Sequence, residues 1–219
     1  SGRTRAALPP WQTQSCHNRT PQSELLTEYG AVHCNCPDKG GTTVSDYDTI
    51  FKVEEHIRAI SSLLGIPVTD SNVDTPHRVA KMYCSELFRN RNDRNHDELV
   101  ASMKMFDAPV NAGPVTVEDI EFWSVCEHHW LPFGGLCSVE YTPDKKIIGL
   151  SKIPRVVKYY SQMPQLQEKL TTDIGTFLCE LLQPKSLTVR MVAKHCCVMC
   201  RGAESNCQTR TVFEYKKEG

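Results

Sequence analysis

An α+β fold, with an antiparallel sheet carrying helices on one face, is what three features of the 219-residue sequence predict. Two segments of the first half carry apolar residues at helical spacing. Four runs of the second half are rich in β-branched and aromatic residues and partly alternate. Two more helical segments separate the first pair of runs from the second, so the order reads helices, two strands, two helices, two strands.

Residues 1–44 are rich in Pro, Ser, Thr, Gly and Gln and hold no acidic residue before Glu24, which predicts a disordered arm. Arg3, Arg5 and Arg19 among Ser and Thr give it a faint likeness to an organelle-targeting segment. His33, Cys34 and Cys36 lie in this arm and are left outside the site. Residues 45–219 form the folded domain, with a helical extension over 45–100 and the sheet and site over 101–219.

From Asp46 to Leu64 the residues Ile50, Val53, Ile57, Ile60 and Leu64 recur on one helical face, and Gly65 is a natural stop. A second helix opens at Asp74-Thr75-Pro76, with Thr75 as cap and Pro76 in the first turn, and runs to about Phe88. Val79, Met82, Tyr83 and Leu87 face inward, while Arg78 and Lys81 share one face. A polar stretch, 89–98, follows. Strands are expected at Val115–Trp123, Leu136–Tyr141, Leu187–Ala193 and Thr209–Tyr215. One intervening helix opens at Ser151. The other carries Leu166, Leu170, Ile174, Phe177, Leu178 and Leu181 and ends before Pro184.

With 25 basic and 26 acidic residues the formal charge is −1, so no overall basic field draws in nucleic acid or an anionic membrane, and an anionic ligand needs a local pocket. No run approaches the roughly 20 apolar residues of a membrane span, and no signal-peptide core is present, which points to a cytoplasmic location. The 11 cysteines are odd in number and cluster beside histidines, a pattern of metal binding rather than of a disulfide framework.

Two clusters carry metal-ligand chemistry. Cys126-Glu127-His128-His129 follows one strand-like run, and His195-Cys196-Cys197-Val198-Met199-Cys200-Arg201 ends another. Thiolate and imidazole at this spacing suit Zn2+. Spacing leaves two arrangements open: a closed structural site of Cys126, His129, Cys197 and Cys200, or a catalytic site of three protein ligands with His128 and His195 left over for proton transfer. The His-x-Glu and Pro-Cys-x-x-Cys signature of the zinc nucleobase deaminases is missing.

Gly149-Leu150-Ser151-Lys152-Ile153-Pro154-Arg155 reads as a capped helix start with two basic side chains, an arrangement suited to phosphate. Arg78, Lys81 and Arg201 supply further positive charge if folding or subunit assembly gathers them. Glu168, within Gln165–Leu170, is able to accept hydrogen bonds from the N1–H and exocyclic amine of guanine.

Asp74–Met82, Cys126–His129, Ile148–Lys152, Gln165–Leu170 and His195–Gly202 together resemble, in order and separation, the motifs of the GTP cyclohydrolase I family. The resemblance implies Zn2+ on Cys126, His129 and Cys197, with a zinc-activated water adding at guanine C8. It implies that His128 handles the N7 proton, that His195 assists ring opening and formate loss, and that Ser151 sits near the ribose. Glu168 and Gln167 would hold the guanine edge, and Lys152, Arg155, Arg201, Arg78 and Lys81 the triphosphate. The implied reaction converts GTP to 7,8-dihydroneopterin triphosphate and formate. The implied fold is of the tunnelling type, assembled into a ring-shaped homodecamer with active sites at subunit interfaces. Allosteric feedback is a candidate property, and no regulatory partner is specified. Competing readings are a non-catalytic zinc-stabilised pterin or nucleotide-binding module, and a related enzyme that stops at a partial product.

Overall fold

The structure, a computed structural model, describes residues 44–218. The expectations for the arm, including the targeting likeness and the set-aside His33, Cys34 and Cys36, lie outside the described residues.

Helix α1 spans Val44–Leu63 and α2 Thr75–Lys81. The first ends as expected near Gly65, whose φ is +69°. His77 on α2 ties the pair together through Nδ1, 2.9 Å from a carboxylate oxygen of Glu54 on α1. The face read as inward on α1 loses cover toward its C-terminal end: Ile50 is buried and Val53 and Ile57 half-buried, while Ile60 and, just beyond the helix, Leu64 stay 50% and 71% exposed. Asp74, not Thr75, stands at the N-cap of α2, and no side chain caps it. Pro76 in the first turn leaves less amide to satisfy. Beyond Lys81 the coil widens into a π-helical turn, Met82–Leu87, closed by the Phe88 amide on the Tyr83 carbonyl at 2.9 Å.

The polar stretch is not simply loop. It turns through three residues of positive φ, Asn92, Asp93 and Asn95, and then forms α3, His96–Ser102. Asn and Asp tolerate the left-handed region best, which is why their cluster marks a turn. Two short strands, β1 Met105–Asp107 and β4 Lys146–Ile148, pair with each other.

The main sheet holds the four expected strands, each longer than its apolar run: β2 Val115–Cys126, β3 Pro132–Thr142, β6 Ser186–His195 and β7 Thr209–Lys216. Its order is β5-β2-β3-β6-β7, antiparallel except for β5, Pro164–Gln165, which adds in parallel at the end of β2. Along β6 the buried residues are Leu187, Val189, Met191 and Ala193, a period of two that marks one covered face. The alternation on β2 is only partial because a bulge at Glu118–Asp119 shifts the register between Val117 and Ile120, with Asp119 at φ +54°.

Helices α4, Lys152–Ser161, and α5, Gln167–Leu182, cover that face. Ile153, Val156 and Val157 of α4 and Leu170, Ile174 and Leu178 of α5 are fully buried in one core with Phe133, Val139, Tyr141 and the inward residues of β6. Gln183 at φ +46° closes α5 just before Pro184. The mixed α+β architecture with helices on one face is therefore as expected. Among the described residues no helix is long and apolar enough to cross a membrane.

Candidate active site

Both chemical clusters lie at one end of the sheet. Register pairs Phe133, at the start of β3, with His195, at the end of β6, while β2 reaches the same end at Cys126. Strand pairing therefore joins segments some 70 residues apart in sequence, without help from the local spacing of either.

After Cys126 the chain makes a tight loop. The Trp130 amide donates to the Cys126 carbonyl at 2.9 Å, and the Cys126 amide donates to the Leu131 carbonyl at 2.9 Å. Closing so short a loop puts Trp130 at φ +54°, a strained conformation for a bulky residue. Its support is aromatic: Trp130 packs against Tyr83 and Phe88 at ring separations of 5.8 and 5.5 Å, and the Tyr83 hydroxyl donates to the Trp130 carbonyl at 3.2 Å. The π-helical turn thus presents Tyr83 to this loop, a role with no signal in the sequence beyond an inward-facing aromatic. Strand β5 holds the other side, with the Glu127 amide donating to the Gln165 carbonyl at 3.2 Å.

Following β6, the one-turn helix α6, Cys196–Met199, brings Cys197 back toward this loop. Cys126 Sγ, His129 Nδ1 and Cys197 Sγ lie within 4.8 Å of one another. The Cys126 Sγ to His129 Nδ1 separation is 3.8 Å. Ligand bonds of about 2.3 Å to sulfur and 2.0–2.1 Å to nitrogen, spread tetrahedrally, would put those atoms about 3.6 Å apart, so the trio fits a metal ion of zinc's size and taste. The electrostatics agree. Burial, and then the neighbouring Cys126 thiol, push the Cys197 thiol above its ordinary pKa, an opposition of two would-be anions that a cation between them relieves. Cys200 stands outside the group: it is exposed and its thiol donates to the Cys196 carbonyl at 2.9 Å. Of the two arrangements left open by spacing, the three-ligand one is what the geometry forms.

Around the trio, His128 is exposed, its Nε2 4.0 Å from Glu127, beyond hydrogen-bonding range. His195 is half-buried. Its ring stacks on Phe133 at 4.5 Å and 4°, and Nε2 lies 2.9 Å from Gln167 Oε1. Burial lowers the His195 pKa below the usual histidine value, with Glu168 acting weakly the other way, so the two residues share one electrostatic neighbourhood. Arg201 likewise acts on Cys197. Glu168 is exposed on the first turn of α5, but Gln167 is 1% exposed and its amide is taken up inside the protein. Of the pair expected to hold a base edge, only Glu168 offers a free side chain. As the first residue of α5, Gln167 still has a backbone amide that its helix does not use.

The expected phosphate residues do not all join this end. Arg78 and Lys81 are exposed on α2, with Arg78 Nη2 3.6 Å from Asp74. Ser151 stands at the N-cap of α4 without a side-chain cap bond, followed by half-buried Lys152 and exposed Arg155. This helix start belongs to the opposite end of the sheet: the Ile148 amide donates to the Tyr141 hydroxyl at 3.3 Å. Tyr141 is eight residues along β3 from Phe133, about 26 Å of extended strand.

Residues 53–218 match the family model described as GTP cyclohydrolase I. The proteins named GTP cyclohydrolase 1 from Shewanella amazonensis and Shewanella denitrificans are each 42% identical to this chain over 153 and 163 residues, covering 69% and 73% of it and the same shares of their own lengths. A solved apo structure titled archaeosine synthase QueF-Like is matched over its whole length by 50% of this chain, at 19% identity and a TM-score of 0.40.

Proposed function

The chain belongs to the GTP cyclohydrolase I family, and from that premise we propose that it hydrolyses and rearranges GTP to 7,8-dihydroneopterin triphosphate and formate. The observation that carries this reading is the meeting of Cys126, His129 and Cys197 at one sheet end, with His128, His195, Glu168 and Arg201 beside them.

Zinc held by Cys126, His129 and Cys197 would supply a Lewis acid able to bring the pKa of water down to about 7. Exposed His128 is suited to exchange the proton at guanine N7 as water adds at C8. His195, held from two sides, assists opening of the five-membered ring and departure of formate. Glu168 accepts from guanine N1–H and the exocyclic amine, and Arg201 meets a phosphate. Each group acts where charge develops during reaction, which is where preorganised partners raise the rate.

Ser151, Lys152 and Arg155 lie too far along the sheet to complete this site from the same chain. A second copy supplies them, with Ser151 near the ribose and the basic side chains, joined by Arg78 and Lys81, on the triphosphate. Two features support such an assembly. Among the described residues, edge strand β7 is unpaired on its outer side, and Ile60, Leu63, Leu64, Ile66 and Val68 form an exposed apolar run. Closure into a ring, the homodecamer of the family resemblance, covers both.

The test is incubation of the zinc-quantified protein with GTP, following formate and the pterin fluorescence that appears on oxidation. Equal amounts of formate and dihydroneopterin triphosphate, abolished by a chelator, are expected. Tight GTP binding without turnover would replace this reading with that of a binding module.

A further inference from the structure

Gln167 is buried at the start of α5, and its side-chain amide is surrounded unequally. Nε2 faces three acceptors: the Thr209 carbonyl at 3.1 Å, the Thr211 hydroxyl at 3.2 Å and the Met191 carbonyl at 3.3 Å. Two of these are carbonyl oxygens, which only accept. The amide therefore has one orientation, because turning it over would bring Oε1 against two carbonyl oxygens that, like it, only accept.

With the amide so fixed, Oε1 faces His195 Nε2 at 2.9 Å. An amide oxygen also only accepts, so the proton of that hydrogen bond belongs to Nε2. The stacked Phe133 ring, 4° from parallel at 4.5 Å, opposes rotation of the imidazole, which would put Cε1 in place of Nε2 against Gln167. We infer that Gln167 is a positioning residue that locks neutral His195 in the Nε2–H tautomer, so that the free lone pair lies on Nδ1. His195 then meets a reacting group through Nδ1, while Nε2–H remains bonded to Gln167 throughout.

The same hydrogen bonds reach β6 and β7 from the residue next to Glu168, so the histidine is held by three elements at once. Fixing the tautomer and orientation of an imidazole through its second nitrogen is how partners outside the reacting shell act on histidines elsewhere, at 10- to 100-fold in activity. The inference rests on the proposed function only for what the histidine does; the tautomer itself does not depend on GTP.

The test is a long-range 1H–15N correlation spectrum of the zinc-loaded full-length protein with 15N-labelled histidine, recorded where the imidazole is neutral and assigned with His195→Ala. A protonated Nε2 and an unprotonated Nδ1 at His195 are expected. Thr211→Val, which leaves both carbonyl acceptors in place, should keep that pattern. Gln167→Ala should average the two tautomers and lower kcat by about 10- to 100-fold with KM for GTP within about twofold. An Nδ1–H or mixed tautomer in the unsubstituted protein overturns the inference, as does Gln167→Ala with a pure Nε2–H pattern or an unchanged kcat. Should GTP not be turned over at all, the spectrum still decides the tautomer, and only the functional reading falls.

Discussion

Gly175 of α5 lies directly over the ring of Phe213 on β7, so close that a Cβ built on the glycine comes within 2.2 Å of the ring. In an exposed helix, alanine is about 1 kcal/mol more favourable than glycine. Here the order reverses, because helix and strand meet at van der Waals contact and the partly buried ring, packed against the core, must shift to admit a methyl group. Gly175→Ala should destabilise by about 1–3 kcal/mol, and adding Phe213→Leu should recover part of that loss. Thermal midpoints at one protein concentration check both; a more stable Gly175→Ala would mean that α5 is not seated on β7 as described.

Cysteine chemistry separates the ligands from their neighbours. Alkylation followed by mass spectrometry, with zinc bound and after chelation, should label exposed Cys200 and Cys207 in both states. Cys126 and Cys197 should react only after chelation, since a metal held by the trio would occupy their sulfurs. Cys137, whose thiol burial pushes up to about 12, should react in neither. Protection of Cys200 by zinc would transfer the third ligand from Cys197 to it.

Much of this arrangement was legible in the sequence, and the reasons differ by residue. The four main strands and α5 announce themselves by periodicity, because each has one covered face and one open face. The meeting of Cys126, His129 and Cys197 is foreshadowed because residues able to hold a metal are of few types and sit at short spacing within each cluster. Gln167 stands beside Glu168 as expected, but its side chain is turned into the protein. Its neighbours Thr209, Thr211 and Met191 come from two other strands, and no local pattern foretells that its amide would be consumed there. Ile60 and Leu64 carry the right spacing for a covered face, but spacing does not say which molecule provides the cover. The loop strain at Trp130 follows from closing β2 onto β3 in so few residues, again a tertiary demand.

That strain gives a prediction with an unusual sign. Trp130→Ala and Trp130→Gly both remove the ring contacts with Tyr83 and Phe88. Alanine must still adopt φ near +54°, at a cost of about 1 kcal/mol, whereas glycine adopts it freely. The glycine variant should be the more stable of the two by about that amount, in denaturant or thermal unfolding. Equal stabilities would show that the loop relaxes once the ring is gone.

Ligand and proton-transfer roles come apart in three single substitutions. His128 is exposed and outside the metal trio, so His128→Ala should retain zinc while its rate of formate release from GTP falls by about 10²- to 10⁴-fold, the usual worth of a positioned acid or base. Cys197→Ala removes one of the three proposed ligands and should lose both metal and formate release. Cys200→Ala touches neither, because that thiol only caps the Cys196 carbonyl, and it should keep both. Metal content and formate are measured on the same preparations, so a folded protein that has merely lost zinc is told apart from one that has lost a proton donor. Full zinc in Cys197→Ala together with its loss in Cys200→Ala would reverse the assignment of the third ligand. Loss of zinc in His128→Ala would make that imidazole a ligand rather than an acid or base.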